Sequence, residues 1–441
     1  MFVKKISVVQ GFFASLVLIL SLPVLAGLPI QHWQSASGAR VFFVENHDLP
    51  ILDLSVNFAA GSSRDDPARP GVAALTKGLL PLGAGGMPED QISNQLADIG
   101  ANLGGDFDND RAGLRLRTLS SEKEKAAALA LLATVLQKPD FPQSVLEREK
   151  ARWIAGLREA ETQPESISGK AFTELLYGTH PYALDEAVTP ETVTAISRDQ
   201  LLNFYQKHYT RRNAVIAIIG DISRAEAEQV AEQLTAPLPA GDALAPLPPV
   251  ALPHVAVEKR IPHHAAQSHI LLGFPGIKRI DPDYFPLYVG NYILGGGGFV
   301  SRLMEEVRDK RGLVYGVSSH FAPMQEAGPF QIGLQTKREQ TEEALKVVRE
   351  TLNRFVEKGV TEKELKAAKD NLTGGFALRL DSNSKVLDYL AVIGFYGLPL
   401  TWLDDYVSKI NKVTTAQIRD AYKRRIKPDN MLTVIVGETG Q

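Results

Sequence analysis

The two halves of this chain end on the same short pattern. Gln200 and Tyr205, then Asn213, precede an apolar run at 214–219 that is closed by Gly220. Gln417 and Tyr422, then Asn430, precede a second run at 431–436, closed by Gly437. All four matched positions are 217 residues apart. Earlier in the chain, Gly85, Gly86 and Gly100 match Gly297, Gly298 and Gly312 at a separation of 212. A near-constant offset over separate landmarks points to duplication of one α/β unit, which constrains the fold more than any single motif. Between the copies lies 236–253, with six prolines and a single charged residue, Asp242. Proline removes backbone donors and favours extended chain, so this stretch reads as a linker. The expected domains are 27–235 and 254–441, each of a size that carries its own core.

Within each half, strand and helix patterns alternate. Residues 51–58 and 111–117 alternate apolar and polar with period two, as half-buried strands do. The Ala/Leu-rich stretch 122–136 has helical spacing, and 341–356 is an amphipathic helix with Ala344, Leu345, Val348, Leu352 and Phe355 on its apolar side. Thr361 and Glu364 form a capping box that opens the next helix. The expected fold class is α+β, an antiparallel-rich sheet in each half with helices packed on one face.

Composition narrows the function. Hydrophobic residues make up 44% and charged residues 22%, which fits a folded chain, and the net charge of -3 comes with no basic stripe for nucleic acid. There is no cysteine, so disulfides and thiolate metal sites are excluded. The first 26 residues read as a cleaved secretory signal: Lys4 and Lys5, a mainly apolar stretch at 6–22, Pro23, then Val24-Leu25-Ala26. The expectation is a mature chain from Gly27, a periplasmic location, and no membrane span after cleavage.

Four further segments carry a family resemblance: Ala60-Gly61-Ser62-Ser63-Arg64-Asp65; Tyr177-Gly178-Thr179-His180-Pro181-Tyr182; Phe204-Tyr205 with His208-Tyr209 and Asn213; and Leu294 to Gly298 with Ser301-Arg302-Leu303. Their order and spacing resemble the pitrilysin/insulinase family of zinc metallopeptidases, which includes the mitochondrial processing peptidase. The resemblance runs from about Pro29 to Glu438. It implies two homologous α/β-sandwich domains enclosing a chamber.

In that family one helix carries His-x-x-Glu-His, two zinc-binding histidines a turn apart with a general base between them. The matching positions here are Ala74, Lys77 and Gly78. Ala and Gly offer no donor atom, and a protonated Lys would repel a divalent cation. The family's third ligand is a Glu on a later helix, and its place here falls at Ala155 and Gly156. Other metal sites lack support. No two of the nine histidines stand four apart, and His263, His264 and His269 fall where neighbouring strand residues point to opposite faces. Asp106, Asp108 and Asp110 have the spacing that opens a calcium loop, but Arg111 and Arg117 occupy the positions of its Gly and its last Glu. That stretch reads as a solvated edge or turn.

One part of the family's site is kept. Glu305 to Val317 resembles its C-terminal-domain signature, and Arg308 and Tyr315 match its Arg/Tyr pair. Gly312 would end the helix as a C-cap and Tyr315 would enter the next strand. Arg presents a fixed fork of donors to a carbonyl or oxyanion, and Tyr adds a directed hydroxyl. In the family this pair reaches across the chamber to hold the scissile peptide. Gly295, Gly296, Gly297 and Gly298 lack the ending of a P-loop, and are expected to form a chamber-facing loop where backbones approach closely.

The resemblance therefore implies a non-catalytic, substrate-binding subunit of a heterodimeric zinc metallopeptidase. This chain would hold no metal or cofactor; zinc would reside in a homologous partner subunit, and the substrate would be an unfolded peptide. The alternative is a stand-alone periplasmic peptide-binding or scaffold protein. No Ser/His/Asp or Cys/His arrangement with recognisable context points to other enzyme chemistry.

Overall fold

The computed structural model describes residues 29–437; the signal expected at 1–26 lies outside them. The first half runs β1 (Gln31–Gln34), β2 (Arg40–Glu45), β3 (Ile51–Phe58), α1 (Val72–Leu79), a two-residue hairpin β4 (Gly83–Ala84) and β5 (Met87–Pro88), α2 (Glu89–Asp98), β6 (Asn102–Gly104) and β7 (Ala112–Leu119). It continues with α3 (Glu122–Gln137), α4 (Gln143–Ala160), α5 (Pro164–Tyr177), α6 (Pro190–Ala195), α7 (Arg198–His208), β8 (Val215–Gly220) and α8 (Arg224–Thr235). Residues 236–253 carry no helix or strand. The second half runs β9 (Val257–Ile261), β10 (Gln267–Pro275), α9 (Tyr284–Asn291), β11 (Val314–Phe321), β12 (Pro329–Lys337) and α10 (Thr341–Lys358). It closes with α11 (Glu362–Gly374), α12 (Asn383–Tyr396), α13 (Trp402–Lys412), α14 (Thr415–Arg425) and β13 (Leu432–Val436).

The strand order is β1-β2-β8-β3-β7-β6 in one sheet and β11-β12-β10-β13-β9 in the other. Read from its far end, the second sheet retraces the first from β2 onward. Each holds one parallel pair, β2 with β8 and β9 with β13, among antiparallel neighbours. The sequence repeat is thus a repeat of topology. Gly100 and Gly312 even share a left-handed φ, 62° and 64°, a backbone region that favours glycine.

Each sheet has a core formed with the helices of its own half. In the first, Leu54, Val56, Ile216 and Ile218 pack with residues of α1, α3, α7 and α8. The expectation of helices on one face needs correction, because the opposite face of each sheet is covered by a helix from the other half. Phe172, Leu176 and Tyr177 of α5 pack on Leu432, Val434 and Val436 of β13. Conversely, Val386, Leu387, Leu390 and Ala391 of α12 pack on Val44, Ala217 and Ile219 of β2 and β8. Fully burying each large apolar side chain contributes about 1.5–3 kcal/mol, so this exchange is a large share of what joins the halves. It also explains why β3 is buried on both faces and not half-buried. Its polar side, Asp53, Ser55 and Asn57, is enclosed too, and Arg117 closes a bidentate pair on Asp53 at 2.7 and 3.0 Å.

A second tie is Asp110, which corrects the reading of 106–110 as solvated. Asp110 is 1% exposed. It accepts hydrogen bonds from Tyr182 Oη at 2.7 Å, from the Gln325 amide at 2.8 Å and from Tyr396 Oη at 2.9 Å. Two of the three donors belong to the second half. Burial raises its carboxyl above the ordinary range, and these bonds oppose the rise.

Candidate functional site

Helix α1 begins where the Asp65 carboxylate accepts the amides of Gly71 and Ala73 at 2.8 and 2.7 Å, satisfying donors that the first turn leaves free. Asp65 is buried, and burial pushes its carboxyl up to about 7 against those two bonds. The helix packs on α7, β7 and α4 within the first half. Trp153 of α4 lies so close to Gly71 that an added Cβ would stand 2.9 Å from its ring.

On this frame the positions matched to the zinc ligands carry nothing that binds zinc. Ala74 is partly covered, while Gly78, Ala155 and Gly156 face open surface. A Cβ at Gly78 or Gly156 would meet no atom within 4 Å. Lys77 donates to the Gly105 carbonyl at 3.3 Å, and burial holds its ammonium below the usual range while Asp106 opposes the shift. Small side chains and one cation do not fit a divalent metal. Among the described residues, no group of three or more His, Asp or Glu side chains is placed to hold a metal ion.

In the second half the glycine run is pinned to a strand. Gly295 falls within one turn of π-helix, Tyr292–Gly296, and an added Cβ there would stand 2.5 Å from Ser319 Oγ of β11. Asn291 and Ser319 exchange hydrogen bonds of 2.9 and 2.7 Å beside it. Gly296 and Gly297 are tight against Asn291 and Tyr292, whereas Gly298 borders open space. The chain then turns outward, leaving Phe299 70% and Val300 75% exposed.

Arg308 follows on a second π-helical segment, Met304–Asp309, and the Gly312 amide donates to its carbonyl at 2.7 Å. The segment is therefore wider than the α-helix expected, though Gly312 ends it and Tyr315 enters β11. The β11–β12 register slips between Val314 and Val317, which puts Tyr315 and Gly316 in a bulge. Tyr315 is 88% exposed. The Arg308 guanidinium lies 4.8 Å from the Phe299 ring centre and 5.8 Å from that of Tyr315, with Asp309 at 3.6 Å. The structure thus joins Arg308, Tyr315 and the glycine loop into one surface cluster, with Arg308 half-buried and Tyr315 exposed. Phe299 completes it; the aromatic residue directly after four glycines was the signal that the sequence reading passed over. Beside Tyr315 a groove of about 480 Å³ runs between Glu165 and Ser168 of α5 and the polar residues His269, Gln331 and Gln335 of the second sheet.

Known families account for both halves. A model for the insulinase family, peptidase family M16, matches residues 40–186, and a model for the peptidase M16 inactive domain matches residues 195–372. The crystal structure of a peptidase M16 inactive domain from Pseudomonas fluorescens superposes with a TM-score of 0.90 at 41% identity, over 94% of this chain and 98% of that one. A Helicobacter pylori protein named non-peptidase homolog YmxG is 27% identical over 90% of this chain and 91% of its own length. An uncharacterized zinc protease YmxG from Bacillus subtilis is 24% identical over 92% and 98%. This chain belongs to the insulinase family, peptidase family M16, and lacks that family's His-x-x-Glu-His motif.

Proposed function

We propose that this chain is the non-catalytic, substrate-binding subunit of a heterodimeric zinc metallopeptidase that degrades or processes peptides. The observation that carries the reading is an asymmetry. Positions matched to the zinc ligands are Ala and Gly, while Arg308 and Tyr315 are present and adjacent, Arg308 half-buried and Tyr315 exposed. Arg308 would donate its fork to a peptide carbonyl, with Phe299 and Tyr315 flanking the guanidinium and limiting its rotamers. Tyr315 would add a hydroxyl donor. The groove beside it crosses the sheet face over β10, β12 and β11, and β11 is the edge strand, whose free side offers backbone groups to an extended peptide. Zinc would be supplied by a homologous partner, the two chains enclosing a chamber for the unfolded peptide. Export to the periplasm by the N-terminal segment is part of the same proposal.

The purified chain should hold no stoichiometric zinc, and metal analysis finding about one zinc per chain would refute the reading of α1. With its zinc-bearing partner it should support cleavage that it does not support alone. Arg308→Ala or Tyr315→Phe should then lower turnover by about one to three orders of magnitude, as loss of an oxyanion donor does. Full activity in both variants would leave the stand-alone binding or scaffold role instead.

A further inference from the structure

A cavity of about 450 Å³ opens where the two halves meet the linker. Three arginines line it: Arg40 at the start of β2, Arg64 in the loop after β3, and Arg279 beyond β10. Leu244, Ile280 and Phe395 supply apolar wall. Among the described residues, none of the three guanidinium groups is paired with a carboxylate. Arg40 Nη1 donates to the Gly394 carbonyl at 3.1 Å and Arg64 Nη1 to the Ala245 carbonyl at 2.7 Å, while Arg279 lies over the Tyr396 ring at 5.3 Å. The Nε atoms of Arg64 and Arg279 are buried with no acceptor.

The nearby acids are engaged elsewhere. Both oxygens of Asp110 are taken by Tyr182, Tyr396 and the Gln325 amide, and Glu326 pairs with Lys278 at 2.7 Å. Burial lowers the guanidinium pKa of Arg64, and the charge of Asp110 only partly opposes this. Buried donors without acceptors are costly. A bound anion would supply the missing acceptors.

We propose that this cavity binds a multiply charged oxyanion of the phosphate class, a phosphate monoester or a diphosphate, whose organic part lies against the apolar wall. Guanidinium forks match phosphate oxygens in pairs, and a single carboxylate would leave two of the three charges uncompensated. This assignment does not depend on the peptidase-subunit reading, since it uses none of the residues around Arg308.

The test is titration calorimetry of the full chain at low ionic strength with inorganic pyrophosphate, inorganic phosphate and acetate. Saturable one-to-one binding of pyrophosphate is expected, at least tenfold tighter than phosphate, with no measurable binding of acetate. Arg279→Gln and Arg40→Gln should each weaken pyrophosphate binding tenfold or more. Lys123→Gln, an exposed charge on α3, should leave it unchanged. If Arg279→Gln fails to fold, Arg40→Gln carries the test, because Arg40 is an exposed strand end. No saturable binding, equal weakening by Lys123→Gln, or acetate binding as tightly as pyrophosphate would each overturn the proposal.

Discussion

Helices α5 and α12 do the same job in opposite ways. Each leaves its own half and covers the back of the other sheet. Where α5 crosses, the large group is on the helix and the space is in the sheet: Phe172 reaches Gly273 of β10, where an added Cβ would stand 3.0 Å from its ring. Where α12 crosses, the space is on the helix and the large group is in the sheet: a Cβ on Gly394 would stand 2.6 Å from Phe42 of β2. The duplicated halves kept the exchange and inverted the fit. What the two copies share is the need to close a second sheet face, and the residues that meet it are free to differ as long as volumes complement one another.

Phe172→Ala should show the largest effect on this comparison. It removes a side chain that is 2% exposed, at a cost of about 3–5 kcal/mol by denaturant unfolding. Because α5 joins first-half chain to second-half core, the loss should appear as a shift of a single transition. Two separate transitions, with only one moving, would break the idea that the exchange unites the halves.

A pH effect comes next. The end of α7 holds His208, 3% exposed, whereas the matching position on α14 is Arg425, paired with Asp281 at 2.9 Å and Asp283 at 2.8 Å. Burial lowers the His208 pKa to about 4, with Lys207 and Arg64 adding to the shift. The folded state thus resists a proton that the unfolded chain accepts near its ordinary value of about 6.5. Stability from this site is complete above that value and falls as pH drops towards 4, by at most about 1.4 kcal/mol per pH unit. His208→Gln should flatten this slope over the same window, and an unchanged slope would assign the acid sensitivity elsewhere.

Gly394→Ala should have the smallest effect of these. Crowding against the Phe42 ring should cost about 1–3 kcal/mol, offset by up to about 1 kcal/mol of helix propensity. Gly273→Ala should cost more, because its Cβ would stand 2.0 Å from the Phe330 carbonyl, which is backbone and cannot swing aside. Adding Phe42→Leu should restore much of the stability of Gly394→Ala and none of that of Gly273→Ala. A reversed order would refute the inverted fit.

The sequence showed the repeat and most elements because those depend on local pattern. Alternation at 51–58 became Ile51–Phe58, the apolar stripe at 341–356 became Thr341–Lys358, and the Thr361–Glu364 capping box is present as a pair of reciprocal bonds. The exchange of α5 and α12 was not visible. An apolar face says that a helix must be covered but not by which sheet, and that choice is set by contacts hundreds of residues apart. The same limit hid Asp110, whose Tyr396 partner is 286 residues away. At the candidate site, Arg308, Tyr315 and the glycine run were identified from their order. The π-helical turn and the exposed Phe299 were not, because both depend on how the run is pinned to Ser319.

The exchange of helices also sets an order on synthesis. When β8 has left the ribosome, the first sheet can form and gather its own helices, yet its other face, with Val44, Ala217 and Ile219, waits for α12. That helix comes after four of the five strands of the second sheet. Until it arrives, α5 too has no β13 to rest on. A nascent chain of this kind therefore carries an apolar sheet face and an incompletely covered apolar helix together from the release of β8 until α12 follows, the combination that recruits chaperones or drives aggregation.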